Sequence, residues 1–135
     1  MVLEKYEYLV VSPGTGAYAE YLALRYEVFC EELGRIVPDG RSTAGVAIES
    51  DHYDVHSLHV LCRVKDTGAA VGCSRLILPG PNGLNVHARY KLSCAPETPV
   101  GQVGEIGRLA LASSLRRYRT EGARVGGRRR ALGSA

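Results

Sequence analysis

Acidic and histidine side chains are concentrated in one short stretch of the chain. Residues 49–59 read E-S-D-H-Y-D-V-H-S-L-H, so carboxylates and imidazoles alternate within a single segment. Such a density is typical of a metal site, an acid/base site or a solvated loop. The carboxylates are Glu49, Asp51 and Asp54, and the imidazoles are His52, His56 and His59.

The spacing of the histidines disfavours a metal site. His56, His59 and Cys62 follow one another at three-residue steps across a predicted strand. Residues an odd number of positions apart on a strand face opposite sides of the sheet, so these side chains diverge. We therefore expect no metal, and we expect the histidines to make ordinary strand or loop contacts.

Three arginines occupy positions within apolar stretches of the sequence. Arg25 lies in L-A-L-R-Y-E-V-F, Arg75 in G-C-S-R-L-I-L and Arg108 in E-I-G-R-L-A-L. Because an arginine is rarely buried unpaired, these side chains either join the three carboxylates and Glu105 in one ionic network, or remain in water. In such a network a carboxylate can accept a proton from a bound amine, directly or through one water. Neighbouring arginines can bind an anionic group of the substrate.

The elements that position these residues follow from periodicity and turn residues. The pattern predicts a strand at 6–12, a turn at 13–16, a helix at 17–33, a long loop at 34–50, a hairpin of strands 57–65 and 69–78, an irregular stretch at 84–101, a strand at 105–111 and a helix beginning near 115. This order predicts an α+β domain with a mostly antiparallel sheet flanked by helices.

Composition limits the class of protein. The chain has 135 residues, 45% of them hydrophobic, which is enough for one globular domain. No apolar run reaches the length of a membrane span, and the N-terminus lacks the apolar stretch of a secretory signal. The four cysteines form no C-x-x-C pair, so we expect a reducing, cytoplasmic location.

The C-terminal end is strongly basic. Residues 116–135 contain seven arginines and one acid, against a net charge of +3 for the whole chain. Such a segment can bind a phosphate, a nucleic acid or an acidic protein, or can be a solvated tail. A single aromatic residue, Tyr118, stands among the arginines, so we expect no specific nucleic-acid recognition. We divide the chain into a domain at 1–115 and an Arg/Gly-rich, disordered segment at 116–135.

Four motifs in order resemble a known family. The motifs are L-R-Y-E-V-F-C-E-E-L-G, E-S-D-H-Y-D-V-H-S-L-H, T-G-A-A-V-G-C-S-R-L-I-L-P and E-I-G-R-L-A, and the resemblance covers about residues 18–117. Their order resembles the acyl-homoserine lactone synthase-like branch of the GNAT acyltransferases. It is most similar to the PEP-CTERM/exosortase system-associated acyltransferases and to the N-acyl amino acid synthases.

The resemblance implies an activity. It implies a GNAT sheet whose fourth and fifth strands open to admit the pantetheine arm of the donor. The implied reaction transfers an acyl group from acyl-carrier protein or acyl-coenzyme A to a small-molecule amine, often that of an amino acid. No permanently bound cofactor and no metal are implied. The motif residues that match are Glu49, Asp51, Asp54 and Glu105 as catalytic acids, and Arg25, Phe29, Arg75 and Arg108 as substrate-binding residues.

The chain departs from the family pattern at three points. Arg35 stands where lactone synthases commonly have tryptophan, and Gly107 replaces the serine of E-I-S-R. The chain ends soon after the strand at 105–111, and residues 119–124 fit the pyrophosphate-loop pattern poorly. We therefore expect the N-terminal part of a GNAT-like domain, a truncated N-acyltransferase. The alternative is a catalytically inactive remnant that binds an acyl donor or a partner.

Overall fold

A computed structural model describes residues 2–89 and 100–116 of the chain. The elements are α1 (Val2–Lys5), β1 (Tyr6–Val11), α2 (Gly16–Arg25), a π-helical segment (Tyr26–Glu32), β2 (Ser42–Thr43), β3 (Val46–Ala47), a 3₁₀ turn (Asp54–His56), β4 (Ser57–Val64), β5 (Ala70–Ile77), α3 (Asn85–Arg89), a 3₁₀ turn (Val100–Gln102) and β6 (Glu105–Leu111). Residues 113–116 are helical. None of the helices in these ranges has the length and apolar character needed to cross a bilayer.

The main sheet has four strands in the order β1-β4-β5-β6, and every neighbouring pair is antiparallel. The predicted antiparallel sheet with flanking helices is thereby confirmed, as is the hairpin formed by β4 and β5. Gly68 completes the hairpin turn with a φ of +72°, a left-handed conformation that costs glycine little. The pairing of β4 with β5 and of β5 with β6 places Arg75 opposite His59 on one side and opposite Gly107 on the other.

The main core lies between α2 and one face of the sheet. Tyr21, Leu24 and Val28 are buried on the helical side and pack with Leu61 and other residues of the central strands. The helix begins at a Thr15 cap, whose hydroxyl oxygen accepts a hydrogen bond from the backbone N–H of Tyr18 at 3.2 Å. This packing fixes α2 against the sheet and sets the direction of Arg25 at its last turn.

The helix predicted at 17–33 is present, but its hydrogen bonding changes part-way. The α-helical pattern ends at Arg25 and continues as the π-helical segment, in which the N–H of Leu33 bonds to the carbonyl of Val28 at 2.9 Å. Apolar steps of three and four residues fit both kinds of helix, so spacing does not predict the switch. π-Helical turns often occur at functional sites.

Two predicted irregular stretches contain short elements. The loop at 34–50 includes the hairpin of β2 and β3, turned by Ala44 and Gly45 with φ values of +50° and +78°. The stretch at 84–101 includes α3 and a 3₁₀ turn, while residues 90–99 lie outside the described ranges. The basic tail beyond residue 116, with the expected disorder and the region 119–124, also lies outside them. β6 is the last strand within the described residues. The fifth strand of the GNAT sheet, which the resemblance implies, lies outside them.

Candidate active site

Arg25 is the most deeply buried cation of the site. Its side chain has 0% exposure, and its Nε and Nη2 donate to the two carboxylate oxygens of Glu49, each at 2.9 Å. Its Nη1 donates to Oδ1 of Asp54 at 2.7 Å. This arginine ends α2, so the helix that builds the core also supplies the first cation of the site.

Arg75 reaches the same carboxylates from the middle of the sheet. Its Nη1 and Nη2 donate to the two oxygens of Asp51 at 2.6 and 2.9 Å, and Nη1 also donates to Asp54 at 2.8 Å. The side chain is 1% exposed. The two-pronged guanidinium matches the carboxylate geometry, which strengthens the pair relative to a single contact.

Arg108 closes the group on its outer side. Its Nε donates to Glu49 at 2.7 Å and its Nη2 donates to Asp51 at 3.0 Å. Its φ is +50°, and the pairing of β5 with β6 shifts register between Cys73 and Arg75. A left-handed non-glycine residue costs about 1 kcal/mol or more, and the two charged hydrogen bonds offset that cost. We call Arg25, Arg75, Arg108, Glu49, Asp51 and Asp54 the ionic network.

The segment that carries the carboxylates is held by its own backbone. The N–H of Glu49 bonds to the carbonyl of Leu22 at 3.2 Å, which ties the segment to α2. The N–H of Asp51 donates to Oδ2 of Asp54 at 2.8 Å, and the N–H of Tyr53 donates to Oδ1 of Asp51 at 3.0 Å. The carboxylates are therefore ordered by main-chain donors as well as by arginines.

Of the other two predicted site residues, Phe29 lies beside the network and Glu105 has its described contact outside it. The ring of Phe29 lies beside it, with its centroid 5.7 Å from Cζ of Arg108, so it can stack on that guanidinium. Glu105 was expected inside the network, but its described contact is elsewhere. Its Oε1 accepts the backbone N–H of Val86 at 2.7 Å in the first turn of α3. β6 thus places Arg108 in the network and Glu105 against a neighbouring helix.

A cavity of about 480 Å³ opens above the outer side of the network. Asp51 and Arg108, which line it, are 21% and 13% exposed, whereas Arg25 and Arg75 lie behind them. The lining includes, besides these two, Glu49, Arg35, Tyr53 and Arg89. The network therefore has a buried inner half and an outer half that a small ligand can contact.

The sequence profile of the acetyltransferase (GNAT) domain matches residues 24–124, a range that includes the whole ionic network. The chain belongs to the GNAT acetyltransferase family. Membership and the antiparallel sheet together confirm the GNAT fold predicted from the motifs.

A solved structure gives a second likeness. The crystal structure of TofI, in a ternary complex with an inhibitor and MTA, is similar with a TM-score of 0.56 and 28% sequence identity. The match covers 79% of this chain and 56% of the TofI chain, so this chain spans little more than half the length of that protein. No curated protein sequence matches the chain.

A tyrosine and a histidine that support this GNAT site were not predicted as site residues. His59 Nε2 lies 3.0 Å from the backbone carbonyl of Asp54, and its Nδ1 lies 2.9 Å from Oη of Tyr21. A carbonyl can only accept, so Nε2 carries the proton and Nδ1 accepts from the tyrosine hydroxyl. The Tyr21 oxygen in turn accepts from Arg25 at 3.3 Å. The four-residue step from Tyr21 to Arg25 was the available signal, because it places both on one helix face.

Burial and pairing set the ionisation of the site. Burial opposes the charge of Asp54, but the hydrogen bond and charge of Arg25 dominate and lower its pKa to about 2. For Asp51, burial is likewise outweighed by Arg75, and the pKa is lowered. Burial lowers the pKa of His59, which keeps the ring neutral. Asp51 and Asp54 are therefore ionised at neutral pH, with a neutral imidazole beside them.

The histidines do not assemble a metal site within residues 2–89 and 100–116, where no group of three ligands has suitable geometry. His56 lies in the 3₁₀ turn before β4, and its Nε2 is 3.4 Å from the carbonyl of Gly83. β4 begins at Ser57, as predicted, so His56 lies just before the strand and the alternation of strand side chains does not apply to it. In these ranges the carboxylates of the stretch serve arginines instead of a metal.

Proposed function

We propose that this GNAT protein is an N-acyltransferase that moves an acyl group from acyl-coenzyme A or acyl-carrier protein to the amine of an amino acid. The main support for this proposal is the cavity above the network, because Asp51 and Arg108 of the family motifs both line it and are partly exposed there. TofI holds an inhibitor and MTA together, which supports room for two ligands in this fold. A place among the PEP-CTERM/exosortase-associated enzymes, supported by motif order, belongs to the same proposal. So does a cytoplasmic location, which is supported by the cysteine pattern.

The proposed chemistry is aminolysis of a thioester. The acceptor enters as an ammonium ion and loses one proton, and the nitrogen lone pair attacks the thioester carbonyl carbon. The tetrahedral intermediate collapses with cleavage of the C–S bond. The second proton of the nitrogen passes to the departing thiolate, so the products are an amide, a free thiol and one proton released to solvent. The site must orient the amine and assist removal of the first proton.

Asp51 is the carboxylate best placed to meet the acceptor. It lines the cavity and keeps an exposed fraction of 21% although both of its oxygens accept from arginines. Its oxygens already accept from Tyr53, Arg75 and Arg108, which fills the four acceptor sites of a carboxylate. The ammonium group of the acceptor therefore takes the place of one of these donors, and in this proposal that donor is the partly exposed Arg108. Glu49 lines the same cavity and is the second candidate to receive a proton through water. The lowered pKa of Asp51 makes it a weak base, which favours orientation of the amine with proton release to water.

The remaining motif acids have supporting roles in this proposal. Asp54 accepts from Arg25 and Arg75 behind the cavity, and its pKa of about 2 leaves it ionised and weakly basic. We assign it as a positioning residue that holds both arginines. Glu105 anchors α3 through Val86, and α3 contributes to the cavity wall. Its role in the proposal is therefore to place that wall.

The test is to incubate the purified chain with acyl-coenzyme A or acyl-carrier protein and a panel of amino acids, and to identify N-acyl products by mass spectrometry. Asp51→Asn should lower kcat/KM for the acceptor by about 10- to 100-fold, as loss of a charged hydrogen bond that orients the amine does. Asp39→Asn is the matched control, because Asp39 is an exposed carboxylate paired with Arg41 outside the network. Absence of product with every donor, from a folded protein, would overturn the enzymatic proposal.

A second candidate function is donor or partner binding without turnover. It is favoured by the pairing within the network, in which each carboxylate is already held by arginines. The two candidates differ in one measurement. Saturable binding of acyl-coenzyme A by calorimetry, with no amide product on prolonged incubation, would establish binding alone, whereas any acceptor-dependent release of free thiol would establish transfer.

A further inference from the structure

The cavity above the network contains more positive charge than the network itself requires. The three arginines of the network are balanced by its three carboxylates, with contacts between 2.6 and 3.0 Å. Arg35 and Arg89 line the same cavity and stand outside that balance. Two further guanidinium groups at one small cavity are the arrangement expected for binding an anionic group.

Both arginines have fixed backbones and lack an acidic partner within the described residues. Arg35 follows the π-helical segment, and its N–H bonds to the carbonyl of Phe29 at 2.9 Å. Arg89 is the last residue of α3, and its Nε donates to the neutral Oδ1 of Asn85 at 3.1 Å. Both side chains are exposed, so their charge is hydrated and available to a ligand. Glu105 secures the start of α3 and thereby helps to place Arg89.

The lining of the cavity carries charges of both signs. Asp51 is a partly exposed anion, and Arg35 and Arg89 add two cations to the same lining. Ile36 and Ala88 add apolar surface to it. An α-amino acid carries an ammonium group and a carboxylate on one carbon atom, so it can pair with both signs of charge, whereas a simple amine can pair only with the anion.

We propose that Arg35 and Arg89 bind the carboxylate of the acceptor, so that the protein selects zwitterionic amino acids and excludes amines without a carboxylate. This inference rests on the proposed N-acyltransferase function and adds the residues that set its acceptor class. In the bound complex the ammonium group contacts Asp51 and the carboxylate contacts the two guanidinium groups. The anion bound by the arginines could also be a phosphate of the donor, and the assay separates the two sources.

The test uses pairs of acceptors that differ by the carboxylate: L-leucine with 3-methylbutylamine, and L-phenylalanine with 2-phenylethylamine. Palmitoyl-coenzyme A serves as donor, and Arg35→Gln, Arg89→Gln and the double variant are compared with the unchanged chain. Lys65→Gln is the matched control, because it removes an exposed positive charge that does not line the cavity. Each variant should keep the circular dichroism spectrum and the unfolding midpoint of the unchanged chain.

We expect the amino acids to be acylated and the paired amines to be poor acceptors. Each single variant should raise the KM for the amino acid about tenfold, as loss of one charged hydrogen bond does, with kcat little changed. Equal use of amines and amino acids would overturn the inference while leaving the transferase intact. A raised KM for palmitoyl-coenzyme A with an unchanged KM for the amino acid would overturn it in favour of a donor phosphate.

Calorimetry keeps the inference testable if no product forms. L-Leucine and L-phenylalanine are then titrated into the unchanged chain and into the double variant. Binding that the double variant weakens, and that the paired amines do not reproduce, supports a carboxylate site even though the transferase proposal fails. Equal binding of the amino acids and the amines, or no binding by either, overturns the inference.

Discussion

Replacement of Asp54 by asparagine tests whether the ionic network is a stabilising unit. Asp54 Oδ1 accepts from Arg25 at 2.7 Å and from Arg75 at 2.8 Å, and Oδ2 accepts from the N–H of Asp51 at 2.8 Å. Asn keeps the size and shape of the side chain but removes its charge. Arg25 and Arg75 would then lose one of the carboxylates that balance their charge. The NH₂ group of the new amide would also lie against an N–H donor that the carboxylate accepts from in the native protein.

The magnitude follows from the ionisation of the native side chain. The pKa of Asp54 falls from 3.8 to about 2, because hydrogen bonds and charge from Arg25 outweigh burial. At about 1.4 kcal/mol per pKa unit, this lowering corresponds to roughly 2 kcal/mol of stability. Removing one partner of a buried ion pair costs about 3–5 kcal/mol. We therefore expect Asp54→Asn to lower the free energy of unfolding by about 2–4 kcal/mol, a large part of the stability of a small domain.

Urea denaturation followed by circular dichroism measures this loss. The matched control is Asp39→Asn, which removes a charge from an exposed pair with Arg41 and should change the unfolding free energy by less than about 0.5 kcal/mol. The double variant Asp54→Asn with Arg75→Met should lose less than the sum of its single changes, since the unpaired cation is removed too. Equal, small losses for Asp54→Asn and Asp39→Asn would refute a coupled buried network.

Further predictions concern two glycines and pH. Gly80→Ala should destabilise the fold by about 1–3 kcal/mol, because an added Cβ would lie 2.7 Å from the ring of His56 and one side chain must move. Gly107→Ser should leave the unfolding midpoint unchanged or raise it slightly, since no atom lies within 4 Å of the added Cβ; a clear loss of stability would show that the motif serine cannot be accommodated here. Stability should fall as pH drops below about 6.5, since burial lowers the pKa of His59 and the unfolded chain then binds the extra proton. His59→Asn should flatten that part of the pH profile in thermal unfolding, whereas an unchanged slope would refute the assignment.

The parts of the site that could be predicted from sequence are those forced by burial. Arg25 and Arg75 occupy apolar stretches, and a buried guanidinium needs a carboxylate, so residue type predicts their pairing once the fold shows that they are buried. Arg108 was grouped with them because it also lies in an apolar stretch, although its left-handed φ was not predicted. Local chemistry therefore predicted the members of the network, while its internal pairing required the fold.

The parts that could not be predicted depend on contacts between distant segments. Glu105 is the acid of the motif that contains Arg108, but β6 directs it to the N–H of Val86. Arg35 and Arg89 lie in segments without periodic pattern, so nothing in the sequence indicated that they share one cavity. The switch from α- to π-helix after Arg25 left no trace in the apolar spacing.

The buried inner half and the exposed outer half of the network offer a reason for placing six charged side chains in one small domain. A buried ion pair is often no more stabilising than apolar residues of similar volume, so stability alone does not account for them. The inner contacts of Asp54 hold Arg25 and Arg75, and Arg75 then orients Asp51 toward the cavity. Changes at Asp54 should therefore act first on stability, and changes at Asp51 first on acceptor turnover. A network kept only for folding would show the same loss of stability at both positions and no separate loss of turnover at Asp51.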